Sequence, residues 1–168
     1  MSDSESFDAK AAAKHLMGLS GIEALRLMMA GNHPPPSIST TLGFYLAEVD
    51  EGRALFIGEP SDRILNPLGI VHGGYALTLI DSCTGCAAHT TLAAGVSYTT
   101  VETKVNFVRA MTPETGQVRA EGVVVARGRT IITAEGKITD SRGRLLAHGT
   151  STLIVLRQDR TQTGKNEQ

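Results

Sequence analysis

The chain has 168 residues, enough for one domain that buries roughly two thirds of the surface its unfolded form exposes. A formal net charge of −1 gives neither nucleic acid nor an anionic membrane an electrostatic footing, and two cysteines cannot build a disulfide framework. No apolar run reaches the roughly 18 residues of a membrane span, and the first residues lack the order of a signal peptide, so a cytoplasmic location is expected.

Residues 1–19 are polar and alanine-rich at their start and predict a tail passing into a short helix, with no chemistry of its own. Ser20, with Glu23 three positions on, begins a helix whose Ile22, Leu25, Leu27, Met28 and Met29 form a broad apolar face. Gly31 and Asn32 stop it, and Pro34, Pro35 and Pro36 forbid its continuation. Docking on the core accounts for this Met and Leu cluster, with a ligand pocket as the alternative. From residue 40 the pattern turns to sheet, and residues 41–49 and 53–59 read as a hairpin around Asp50, Glu51 and Gly52.

A loop broken by Pro67 and Gly69 then leads into a helix predicted over residues 73–89. Its first turn accepts Gly73 and Gly74, where backbone N–H groups lack helical partners. Ala76, Thr78, Ser82, Cys83, Thr84, Gly85, Cys86, Ala87 and Ala88 give it little bulk, which suits a helix that other backbone approaches closely. Residues 101–109, 117–126, 130–139 and 144–156 read as four more strands with the short connections of an antiparallel meander. One domain over residues 20–156 is expected, of α+β class, with a curved antiparallel sheet wrapping the helix; residues 157–168 read as a loose tail.

The loop and helix carry the chemistry. A helix N-terminus beginning on glycine offers an N–H to an oxygen that becomes negative, and the absence of a side chain at Gly73 lets a carbonyl approach. Asp81 is an acid set between Ile80 and Ser82, expected to be buried, and a buried carboxylate needs either a task on water or carbonyl or a set of Ser and Thr partners. Asn66 has an amide that can position a substrate carbonyl or water, or an oxygen that forms an Asx turn before Pro67. Cys83 and Cys86 spell C-x-x-C, but they lie inside the helix rather than at its start, and no second ligand pair follows, so redox and zinc readings give way to small helix residues. Gly73 and Asp81 are eight positions apart, roughly 12 Å along one helix, too far to touch one carbonyl, so a site using both draws them from two subunits.

The spacing of Asn66, the His72-Gly73-Gly74 triplet and Asp81, within N-P-L-G-x-V-H-G-G and the following helix, resembles the hotdog-fold acyl-CoA thioesterases of the PaaI type, over residues 22–156. The resemblance implies a sheet of about six strands around a long central helix, and hydrolysis of acyl-CoA or aryl-CoA to carboxylate and free CoA without metal or redox cofactor. It implies Asp81 as base or nucleophile, Gly73 as oxyanion donor and Asn66 as positioning group. His72 would support the oxyanion loop, and Thr100, or its neighbour Thr99, would assist the carboxylate. Gly74, Arg109, Arg127, Gly128 and Arg129 would meet the acyl-CoA, the arginines its phosphates. Homodimers with sites at the subunit interface, pairing into homotetramers, are expected. The alternatives are a non-catalytic acyl-CoA sensor on the same fold, and a dehydratase, against which Asp81 with H-G-G argues.

Overall fold

The computed structural model describes residues 14–157, so most of both expected tails lies outside the described residues. The elements run α1 (Gly21–Met29), α2 (Ser37–Leu42), β1 (Phe44–Asp50), β2 (Arg53–Gly58), α3 (Gly73–Thr90), β3 (Val96–Phe107), β4 (Val118–Arg127), β5 (Ile131–Asp140) and β6 (Leu145–Arg157). The six strands form one antiparallel sheet in the order β1-β2-β4-β5-β6-β3, and α3 lies across one face of it.

Two boundaries differ from the sequence reading. Residues 41 and 42, expected in a strand, instead close α2, a six-residue helix capped by Pro36. The proline that ends one helical pattern has the fixed φ that starts another, at −55°. Gly43 then takes a left-handed φ of 70°, which a side chain would disfavour, and turns the chain into β1. β3 likewise begins at Val96 rather than residue 101, because Val96 through Thr100 pair with the far end of β6.

The closeness of helix and sheet rests on glycine. Gly122, Gly136 and Gly149 stand side by side on β4, β5 and β6, and a Cβ at Gly122 would come within 2.3 Å of the Cys83 backbone. The small residues of α3 and this glycine row are therefore two halves of one contact. Around it Leu79 and Ile80 are fully buried, with Val118 and Ile138 of the sheet in the same cluster. α1 docks on the other side of α3, where the Gly21 N–H donates to Leu92 O at 2.9 Å and Ala24 and Leu25 are buried. Among the described residues, no helix is long and apolar enough to cross a membrane.

Candidate active site

The loop before α3 is built by Asn66. Its Oδ1 accepts from the N–H groups of Leu68 at 2.9 Å and Ile70 at 3.3 Å, and its own N–H donates to Ile70 O at 2.8 Å. The oxygen thus forms the Asx turn that sequence offered as one reading, and the amide nitrogen is left for a further acceptor. His72 caps α3, its Nδ1 accepting from the Gly74 N–H at 2.8 Å, which requires the neutral ring with its proton on Nε2. That leaves the Gly73 N–H at the helix start without an acceptor among the described residues. A Cβ at Gly73 would stand 3.2 Å from the ring of Phe107, which lies over this helix end. Asn66, Gly73, Phe107 and Arg109 line one cavity of about 280 Å³.

Asp81 lies two helical turns further on. Expected as a buried acid, it is exposed on a single chain, at the wall of a second and larger cavity of about 390 Å³. The two cavities share no lining residue. Asp81 Oδ1 accepts from Thr103 Oγ1 at 3.2 Å. Thr103 in turn meets Ser151 Oγ at 3.0 Å, and Ser151 meets Thr84 Oγ1 at 2.8 Å. Ser151 and Thr84 are buried, and each hydroxyl carries one hydrogen. Thr84 Oγ1 also donates to Ile80 O at 2.8 Å, which takes its one hydrogen, so Ser151 donates to Thr84 or to Thr103 but not to both. Within this run of hydroxyls, Thr103 is the one that donates to the carboxylate.

The hydroxyl beside Asp81 is therefore Thr103, not Thr100 or Thr99. β3 carries a bulge between Thr100 and Glu102, which moves the helix-facing positions from Tyr98 and Thr100 to Thr103 and Val105. Thr103, Ser151 and Thr84 were missed because nothing in sequence pairs residues so far apart. The one signal available was a run of β3 threonines in which a single bulge changes the face.

The basic residues separate. Arg109 donates to Leu145 O at 2.6 Å beside the Asn66 and Gly73 cavity, whereas Arg127 donates to Thr91 Oγ1 at 3.1 Å just past the end of α3. Gly73 and Thr91 are 18 positions apart, roughly 27 Å along the helix, so Arg109 and Arg127 lie at opposite ends of it and cannot meet one phosphate group within one chain. Gly128 and Arg129 lie in the β4–β5 turn, the Gly128 N–H donating to Ile131 O at 2.8 Å. Both cysteines are free. Cys83 is fully buried against the glycine row, and Cys86 faces the larger cavity, where burial first and the Asp81 charge second push its thiol up to about 12.

Residues 68–147 match the family model described as Thioesterase superfamily. A protein of Saccharolobus solfataricus named as an esterase is 31% identical over 109 residues, which are 65% of this chain and 76% of that one. A 1,4-dihydroxy-2-naphthoyl-CoA hydrolase of Listeria monocytogenes is 24% identical over 118 residues, 70% of this chain and 94% of its own. Among solved structures, a phenylacetic acid degradation-related protein of Ralstonia eutropha superposes with a TM-score of 0.71 at 29% identity, covering 77% of this chain and 98% of that one.

Proposed function

Because the chain belongs to the thioesterase superfamily and has its hotdog fold, we propose that it hydrolyses acyl-CoA or aryl-CoA thioesters to a carboxylate and free CoA. The observation that carries this reading is an exposed carboxylate, Asp81, held by the Thr103 hydroxyl at 3.2 Å in the wall of an apolar cavity. Further support comes from the name of the Listeria relative, which is a CoA thioester hydrolase.

In this reading Asp81 attacks the thioester carbon or takes a proton from the water that does. With water as nucleophile, its oxygen bonds the carbonyl carbon as its proton passes to Asp81. The carbonyl oxygen becomes negative and is met by the Gly73 N–H and the Asn66 amide. Collapse breaks the carbon–sulfur bond, and the leaving thiolate takes the proton from Asp81. His72 holds the loop, and Arg109, Arg127 and Arg129 are the candidates for the CoA phosphates.

Asp81 and Gly73 of one chain are eight positions apart, roughly 12 Å along α3, so one thioester is served by Asp81 of one subunit and Gly73 of another. A homodimer with two such sites follows, and pairing into a homotetramer is part of the proposal, as is a cytoplasmic setting, in keeping with two unpaired cysteines. The test is CoA release, followed with a thiol reagent, across acyl- and aryl-CoA thioesters. Turnover that disappears in Asp81→Asn with binding kept within several-fold supports the reading. Binding without turnover in the native chain would replace it with an acyl-CoA sensor.

A further inference from the structure

The cavity beside Asp81 owes its outer wall to residues that precede the matched family region of 68–147. Met28 of α1, Ile38 of α2 and Phe44 and Leu46 of β1 face Cys86 of α3 across about 390 Å³, within the size range of small-molecule sites. Phe44 and Phe56 form the tilted ring pair at its floor, with centroids 5.9 Å apart. Asp81 is the one charged side chain among the described lining residues. Burial pushes the Cys86 thiol up to about 12 and raises the Tyr98 phenol as well, so these two stay neutral near pH 7. Met28, half-buried, packs on the edge of the core cluster and borders the space, and Ile38, 49% exposed, borders it from α2. This resolves the two readings of the first helix, since Leu25 is both buried in the core cluster and part of the cavity wall, while Met28 and Met29 border the space.

We propose that the acyl half of the thioester lies in this cavity, with α1 and α2 as the wall that sets its size. The substrate class is then a neutral, apolar acyl group long enough to reach Met28, such as a medium straight chain or an arylacyl group. Acetyl, and acyl chains ending in carboxylate, are disfavoured. This rests on the thioesterase reading. An acetyl group leaves most of the space unfilled, and each further methylene buried adds about fourfold in affinity for the transition state. A terminal carboxylate would meet no cation among the described lining residues, with Asp81 repelling it.

The test compares kcat/KM for acetyl-, butanoyl-, octanoyl-, phenylacetyl- and succinyl-CoA in the native chain and in Met28→Trp, Met28→Ala and Ile38→Trp, with thermal melting to verify the fold. Octanoyl- or phenylacetyl-CoA should exceed acetyl- and succinyl-CoA by roughly 100-fold or more. Met28→Trp should lower the octanoyl-to-butanoyl ratio about tenfold and Met28→Ala should raise it. Ile38→Trp, at a surface position that tolerates bulk, should move the ratio in the direction of Met28→Trp. An active chain that prefers acetyl- or succinyl-CoA, or whose ratio is the same in all folded variants, overturns this inference and leaves the thioesterase reading standing. A native chain inactive on every thioester overturns both.

Discussion

Replacing Thr103 by Val keeps a branched strand residue and removes one hydrogen from the neighbourhood of Asp81. The Thr103 hydroxyl is 3.2 Å from Asp81 Oδ1 and 3.0 Å from Ser151 Oγ, so the change takes a donor from an ion and one partner from a buried hydroxyl. A hydrogen bond to a charged group contributes about 1.5–3 kcal/mol, and a long contact at an exposed carboxylate belongs at the lower end. About 1.5 kcal/mol on the chemical step is roughly a tenfold loss of kcat. Because Ser151 keeps Thr84 at 2.8 Å, no buried hydroxyl is left alone and the melting temperature should change little. KM should stay within about twofold, since the contact serves the carboxylate rather than the substrate. Thr103→Ser retains the hydroxyl and should recover most of the rate. Steady-state CoA release decides it. A native kcat in Thr103→Val, or an equal loss in Thr103→Ser with the fold intact, would refute the role given to this hydroxyl.

Gly122→Ala should destabilise the fold by about 1–3 kcal/mol or more, seen in thermal or denaturant unfolding, because the added carbon meets the Cys83 backbone and only movement of α3 relieves it. A variant as stable as the native chain would mean that α3 is not seated as described. Burial lowers the pKa of His89 from its ordinary 6.5, so the folded chain favours the neutral ring. Below that value the unfolded chain binds the proton more readily, so the His89 contribution is present above about pH 6.5 and is lost as pH falls. Unfolding midpoints between pH 7.5 and 5 should therefore fall less steeply in His89→Gln than in the native chain, and parallel curves would contradict this.

What could be read in the sequence was local. The start of α3 on Gly73 and Gly74, its length and the hairpin through Gly52 follow from backbone freedom and periodicity within a few residues. Smallness along α3 announced a close approach, which the glycines of β4, β5 and β6 complete. α2 was hidden because three prolines read as an end, although Pro36 also starts a helix. The partner of Asp81 was misplaced by one bulge, since a single extra residue at Val101 changes which threonine faces the helix. Exposure of Asp81 is a property of where the sheet stops, and sequence alternation along α3 cannot report it. The distance between Arg109 and Arg127 is likewise set by topology, each lying at a different end of α3.

The account rests on Asp81 of one subunit working with Asn66 and Gly73 of another, and subunit mixing tests that directly. Asn66→Ala and Asp81→Asn chains should each be inactive alone. Unfolded together in equal amounts and refolded, about half the dimers are mixed, and in each mixed dimer one site carries both changes and the other neither. Roughly a quarter of native CoA release should return, in proportion to the mixed dimers counted by differential tagging. If mixed dimers form and the mixture stays as inactive as its components, the two halves of the site do not come from different subunits.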